Sequence, residues 1–428
     1  MQTVKDRVIR ADDEGRRAAA AVDSERLWRR HGDMAAIGAI EGNGVNRQAL
    51  SIEDIAARRL LIGWAQQFGF EITGDEIGNL FIRRPGIEPE LAPVMTGSHM
   101  DSQPMGGRFD GMYGVLAGFE ALQALEQAGV QTRRSIELVA WTNEEGSRFA
   151  PGAMGSMVYC GRHRLEDFLG VADADGTTLE QALAETLQAI PEAAVQHHDR
   201  TVAAYVEAHI EQGPQLENAG RSIGVVTGIQ GCRWFTVEVY GEAAHAGTTP
   251  LAGRRDAVQD ALACVAALNR LTRDESDIVR FTVGRFDVTP GSVNSVACHV
   301  SFSVDLRHPD GRVLEELGDA IDATCRQAVR GCDVKVTELL NHAPCVFDDR
   351  VVDAVERVAG DLGCSHMRMP SGAFHDAQFM NDICATGMVF IPCEKGISHN
   401  PAEYAKPDDL AAGARVLVAA LVDLANSL

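Results

Sequence analysis

Four times in this chain a strand-like stretch delivers histidine or paired acidic residues at its end. Leu91–Met95 runs into Gly97-Ser98-His99-Met100-Asp101. Ser135–Trp141 runs into Thr142-Asn143-Glu144-Glu145, and Ala203–Ala208 runs into His209-Ile210-Glu211-Gln212. The fourth stretch is Gly396-Ile397-Ser398-His399. An amphipathic helix is expected over Gly114–Ala128, ending at Gly129. Strands alternating with helices predict an α/β sheet. Open sheets of that kind bind ligands beyond the carboxyl ends of their strands. His99, Glu144, Glu145, His209 and His399 are therefore expected along one sheet edge.

Those residue types suit a hydrolytic divalent ion such as Zn²⁺ or Mn²⁺. In the His99-x-Asp101 pair, one ring nitrogen can ligate while the carboxylate fixes the other. Asp110 follows Gly106-Gly107-Arg108-Phe109 and precedes Gly111, so the backbone can approach a small site closely. Its two oxygens can bridge two ions. Glu144 and Glu145 are adjacent, and neighbouring extended residues point opposite ways. One of the pair can be a ligand while the other serves as general base toward water.

With 428 residues the chain exceeds one hydrophobic core and suits two or more domains. Near Arg221 the texture changes to long alternating strands (Ile223–Tyr240, Val279–Phe286, Ala297–Leu306) with helices at Asp256–Leu271 and Gly311–Val329. This β-α-β-β-α-β order predicts a ferredoxin-like α+β insert. The expected division is 1–220, an inserted domain 221–338, and 339–428. Residues 1–30 read as a frayed or loosely docked helix. Ser51 opens a capping-box-like Ser-x-x-Asp. A net charge of −22 argues against nucleic-acid and anionic-membrane partners. No uninterrupted apolar run reaches a bilayer's span. Ten cysteines without a Cys-x-x-Cys pair, and no secretory leader, fit reduced thiols in the cytoplasm.

The motifs in order are Gly-Ser-His-x-Asp, Glu-Glu-Gly-Ser-Arg-Phe (144–149), His-Ile-Glu-Gln-Gly-Pro (209–214), His-Ala-Gly-Thr-Thr-Pro (245–250), Asp-Leu-Arg-His (305–308) and Ile-Ser-His-Asn-Pro-Ala-Glu (397–403). In this series the chain resembles the hydantoinase/carbamoylase family of amidohydrolases, within the aminoacylase-like dinuclear metallopeptidases, over residues 35–425. The resemblance implies a metallopeptidase-like catalytic domain with a central, mostly parallel sheet. It makes the inserted domain a lid and dimerisation module, giving a homodimer. It also implies two divalent ions per chain, zinc first, with manganese, cobalt or nickel as substitutes. One ion is expected on His99 and His209 and the other on Glu145 and His399, with Asp110 bridging. Glu144 becomes the base, and Asp101 the residue that orients His99. His245, Asn294 and Arg307 match positions holding the substrate's carboxylate and polarised carbonyl, and Gln212 matches a site-lining position. Gly372 is a further candidate substrate contact. Where the family often has Gly-Ala-Gly-His-Asp, this chain has Gly372-Ala373-Phe374-His375-Asp376.

The implied reaction is hydrolysis of the carbamoyl C–N bond of N-carbamoyl-L-amino acids or related ureido acids. It releases ammonia, carbon dioxide and the amino acid. Allantoate and ureidoglycolate amidohydrolases are the nearest alternatives, followed by β-ureidopropionase and by aminoacylases or dipeptidases. A catalytically silent metal-binding scaffold is the non-enzyme alternative, and the retained Glu144 speaks against it.

Overall fold

The computed structural model describes residues 13–196 and 201–428. They form two compact units. One runs to Thr227 and resumes at Val346, and the other is Gly228–Cys345. The inserted unit starts and ends later than 221 and 338. Residues 224–226 still pair within the larger sheet, and the smaller sheet's last long strand runs on to His342.

In the larger unit, α1 (Ser24–Ala35) starts where Asp23 Oδ1 accepts the Arg26 N–H at 3.0 Å. Its docking is firm rather than loose. Glu120 is fully buried and accepts the Asp23 N–H and Arg26 Nε, both at 2.9 Å, with Arg30 Nη1 at 3.3 Å. Residues 1–12 of the expected N-terminal helix lie outside the described residues. Helix α2 (Ile52–Gln67) is capped by Ser51, but the box is not reciprocal. The Asp54 carboxylate accepts Leu50 N–H at 2.9 Å and pairs with Arg58 at 3.0 Å.

Strands β1 (Glu71–Gly74) and β2 (Leu80–Arg84) lead to β3 (Val94–His99). This strand starts at Val94, not Leu91, because Pro93 has no N–H to give to a ladder, and it keeps His99 as its last residue. Helix α3 spans Met112–Ala128 and is buried along Met112–Leu125 rather than amphipathic. Side chains at Gly114 and Gly118 would overlap the Ala208 carbonyl and Leu138, so glycine lets the helix lie close on the sheet. Then come β4 (Ile136–Trp141), β5 (Ala194–Val195), β6 (Ala204–Ile210) and β7 (Ile223–Ile229).

The smaller unit holds β8 (Gly231–Tyr240), β9 (Ala244–His245), α4 (Ala257–Leu271), β10 (Arg280–Thr282), β11 (Phe286–Thr289), β12 (Ser295–Val296), β13 (His299–His308), α5 (Gly311–Ala328) and β14 (Asp333–His342). Its main sheet runs β10-β13-β8-β14, with β11 also on β13. The expected strand Val279–Phe286 is two short strands that pair in turn with β13. Val237, Val239, Val300, Phe302 and Val304 face α4 and α5 through Ala261, Cys264, Leu268, Ile321 and Cys325 in one apolar core. The period-two burial of β13 is what a sheet covered on one face requires.

The larger unit resumes with β15 (Cys345–Val346), α6 (Asp349–Asp361), β16 (His366–Ser371), β17 (Ala385–Ile391) and α7 (Pro407–Ser427). The large sheet orders as β15-β7-β17-β6-β3-β4-β2-β1-β5, with β16 on β7. Strands β4, β3, β6 and β17 are mutually parallel, so their carboxyl ends share one edge. Helix α7 is long and apolar enough to cross a membrane, although no uninterrupted apolar run marks it, but 72% of its apolar stretch is buried inside the protein. It packs on α1, α3 and α6, and its apolarity is that of a core helix.

Candidate metal centre

The centre is built from the ends of β3, β4 and β6 and from the loop after β17. His99 closes β3 and lies level with Trp141, the last residue of β4. His209 sits inside the end of β6, level with Phe390 of β17. These pairings bring the two imidazoles together, with ring centroids 6.0 Å apart. Each Nδ1 lies 2.9 Å from a backbone carbonyl, that of Asp101 for His99 and of Ile210 for His209. Each Nε2 is thereby directed toward Asp110 Oδ1, at 3.7 Å from His99 and 3.2 Å from His209.

Asp110 Oδ2 faces the other way, 3.2 Å from His399 Nε2, and His399 Nε2 is also 3.4 Å from Glu145 Oε2. Two donor sets result, His99-Asp110-His209 and Asp110-Glu145-His399. Within each, the donor atoms lie within 4.8 Å of one another, and Asp110 belongs to both. Imidazole nitrogen and carboxylate oxygen are the donors that zinc and manganese accept, so the residues fit a pair of divalent ions. Glu144, 7% exposed, has Oε2 3.4 Å from His99 Nε2. Burial, then the charges of Asp376 and Glu145, hold its carboxyl well above the usual carboxylate range. His399 is pushed up to about 9, chiefly by its hydrogen bond to Asp110.

The backbone around these residues is unusual. Gly111, Asn143, Gln212 and His399 all have left-handed φ, between 52° and 62°. At Gly111 a Cβ would also overlap the His99 ring. Strained positions of this kind collect at functional sites.

The sequence assigns Asp101 to the wrong atoms. His99 Nδ1 rests on the Asp101 carbonyl, while the nearer carboxylate oxygen is 3.8 Å away. That carboxylate instead accepts the N–H groups of Glu144 at 3.2 Å and Glu145 at 3.1 Å. Gln212 gives its Nε2 to Asp110 Oδ2 at 2.9 Å, and its Oε1 is buried without a hydrogen-bond partner. Gly372 follows β16 directly. Phe374, on the same loop, is 40% exposed and edge-on to Phe379.

Three contributors carried no role in the sequence reading. His375 packs its ring 4.6 Å from that of His209, Gln103 Nε2 donates to Glu145 Oε2 at 2.8 Å, and Glu403 binds the Asp110 loop. All three stood inside or beside quoted motifs, but spacing alone did not show what they touch.

The smaller unit carries the remaining candidates. His245 is exposed, and its Nδ1 accepts the N–H groups of Gly247 at 3.0 Å and Thr248 at 3.2 Å. It lies opposite Ser295 in the β9–β12 ribbon, so Asn294 is its neighbour. Arg307 lies within β13 rather than after it. Its Nε and Nη2 each reach the Asp305 carboxylate at 3.0 Å.

The profile of peptidase family M20/M25/M40 matches residues 95–423. The chain is 37% identical over 410 residues to an N-carbamoyl-L-amino-acid amidohydrolase of Rhizobium meliloti, covering 95% of this chain and 97% of that one. It is 34% identical over 417 residues to a ureidoglycolate hydrolase of Oryza sativa subsp. japonica, covering 94% and 85%. Among solved structures, a hydantoinase/carbamoylase family amidase from Burkholderia multivorans superposes with a TM-score of 0.89 at 43% identity, covering 95% and 98% of the two chains. The chain belongs to the metal-dependent peptidase family M20/M25/M40, in its hydantoinase/carbamoylase branch.

Proposed function

We propose that this protein hydrolyses the carbamoyl C–N bond of N-carbamoyl-L-amino acids with two divalent ions at the Asp110 centre. The observation that carries this is Asp110 shared between two imidazole–carboxylate sets, with the Glu144 carboxylate beside them. His99 and His209 would hold one ion and Glu145 and His399 the other, with Asp110 offering an oxygen to each. Zinc suits the donors best, with manganese, cobalt or nickel able to replace it. Ions held there supply Lewis acidity and make water more acidic.

The chain's own residues do the rest. Glu144 takes a proton from the attacking water and passes it to the departing nitrogen. Water adds to the carbamoyl carbon and one C–N bond breaks to give an amine and a carbamic acid. The carbamic acid then loses carbon dioxide as its own C–N bond breaks, so that amino acid, ammonia and carbon dioxide result. Because His245 Nδ1 accepts two N–H groups, the proton of its neutral ring is on Nε2. That N–H is suited to the carbamoyl oxygen as it gains charge. Arg307 supplies the positive charge that pairs with the substrate carboxylate, and Asp305 orients the guanidinium by accepting from its Nε and Nη2. Asn294 and Gly372 line the substrate, and Gln212 Oε1, a buried acceptor in want of a donor, takes a substrate N–H. The active form is a dimer through the inserted unit.

Ureidoglycolate hydrolysis is the second reading, favoured by the similarity to the rice enzyme. Ammonia release from N-carbamoyl-L-amino acids, allantoate, ureidoglycolate and β-ureidopropionate, beside amine release from N-acetyl amino acids and dipeptides, separates the readings. The highest kcat/KM is expected for N-carbamoyl-L-amino acids. Turnover confined to acetyl or peptide substrates would overturn the assignment.

A further inference from the structure

Glu403 is 2% exposed and lies far along the chain from the loop it touches. Its Oε1 accepts the N–H of Phe109 at 2.8 Å and of Asp110 at 3.1 Å. Its Oε2 lies 2.9 Å from Ser398 Oγ, the hydroxyl next to His399. Ser398 Oγ is also 3.1 Å from Asp110 Oδ2 and accepts Gln212 Nε2 at 3.2 Å. One carboxylate thus grips the backbone of the shared ligand and the side chain beside a second ligand. The slot it occupies exists because residue 107 is glycine: a Cβ there would overlap the Glu403 carboxyl.

From this arrangement we propose that Glu403 is a positioning residue for the two-ion centre. It fixes the distance between Asp110 and His399 and so shapes the second ion site. The proposal rests on the two-ion reading above. An ion held from two loops is bound less tightly if either drifts, and groups that orient ligands typically affect metal affinity by roughly 10–100-fold. A carboxylate that merely satisfies two buried N–H groups would affect stability and leave ion binding alone.

The test is cobalt(II) titration of the chelated full-length protein, followed by chelator competition and by the visible d–d spectrum. The metal-free melting temperature is measured alongside. Glu403→Ala is expected to weaken at least one of the two ions by roughly 10–100-fold and to change the spectrum. Gly107→Ala, which evicts the carboxylate without removing it, should do the same. Glu403→Gln should stay within about threefold, since its carbonyl can accept both N–H groups and its amide can donate to Ser398, whose proton then serves Asp110. Should Glu403→Ala fail to fold, Glu403→Asp, one methylene short of its partners, is read in the same way and should also lose cobalt affinity. Wild-type cobalt affinity and spectrum in the alanine and Gly107→Ala variants, however far their metal-free melting falls, would overturn the proposal. So would a glutamine variant as impaired as alanine. A wild-type protein that binds no cobalt would overturn the two-ion centre itself, and this inference with it.

Discussion

The Asp101 carboxylate holds the backbone N–H of Glu144 at 3.2 Å. With its other oxygen it holds the next residue, so it fixes where Glu144 and Glu145 stand. His99 owes its orientation to the Asp101 main chain instead. Asp101→Asn, which turns one acceptor into a donor facing an N–H, is therefore expected to lower kcat by roughly 10–100-fold while the ion at His99 stays bound. Metal analysis beside steady-state kinetics checks this. Loss of that ion before loss of rate would return Asp101 to the role of a histidine partner.

Glu144 lies beside His99 without belonging to either donor set around Asp110. Glu144→Gln should retain both ions and lose at least roughly 10²–10⁴-fold in kcat, the usual span of general-base catalysis. His99→Ala and His399→Ala should lose metal and activity together, as should exhaustive chelation. Metal loss in Glu144→Gln would mean that the two glutamates exchange roles.

Element types, and the residues that fold together around Asp110, were legible because apolar runs and strand-end histidines are local signals. Atomic detail was not. The spacing His-x-Asp is the same whether Asp101 offers a carbonyl or a carboxylate, and only the turn after β3 decides between them. Leu91–Met95 is a continuous apolar run, yet pairing starts at Val94 because a ladder needs N–H groups that Pro93 lacks. Glu120 interrupts an apolar helix, and its purpose lies in Arg26 and Arg30, some 90 residues earlier. Gly107 and Glu403 explain each other only once folding has brought them together.

The centre gathers carboxyl groups that burial holds up, Asp101 and Glu403 to about 7 and Glu145 to about 8, with the Asp110 charge adding to the last two. In the unfolded chain these groups ionise near pH 4. Between about pH 6.5 and 8.5 the folded, chelated protein therefore still binds protons that the unfolded chain has already lost, so its stability falls as pH rises. His209, held up to about 9 by Asp110 against the effect of burial, and His399 act in the same direction. His99, pushed down to about 4 by burial, titrates below this window. Melting temperature should fall across it for chelated protein and stay nearly level for metal-loaded protein, where divalent charge replaces the protons. A level chelated profile would count against the clustering.

Away from the centre, Glu120 ties α1 to α3. It is fully buried between Arg26 and Arg30, and burial pushes the Arg30 guanidinium down to about 10. Glu120→Ala leaves both cations without their carboxylate, and breaking a buried pair in this way costs about 3–5 kcal/mol. Urea unfolding should show that loss with cobalt affinity unchanged. A cost below about 1 kcal/mol, the scale of an exposed pair, would mean that α1 docks through its apolar face alone.

His245 has an Nε2 donor and an exposed ring but belongs to the unit that holds no candidate metal ligand. The role proposed for it, donor to the carbamoyl oxygen, is one where charge develops, and removing one such donor costs about 10²–10³ in kcat. His245→Ala is expected to show that loss with KM and metal content little changed. Pairing of the inserted units predicts that the histidine serves the partner's centre, as a two-fold dimer can arrange. His245→Ala and Glu144→Gln, each expected to be nearly inactive, are dissociated reversibly, mixed and reassociated. A mixed dimer then has one centre with an intact base from one chain and an intact histidine from the other. Activity should return to about half the wild-type rate per mixed dimer, because one of two centres is whole. Mixed dimers that demonstrably form and remain inactive would place His245 in the service of its own chain, or outside catalysis altogether.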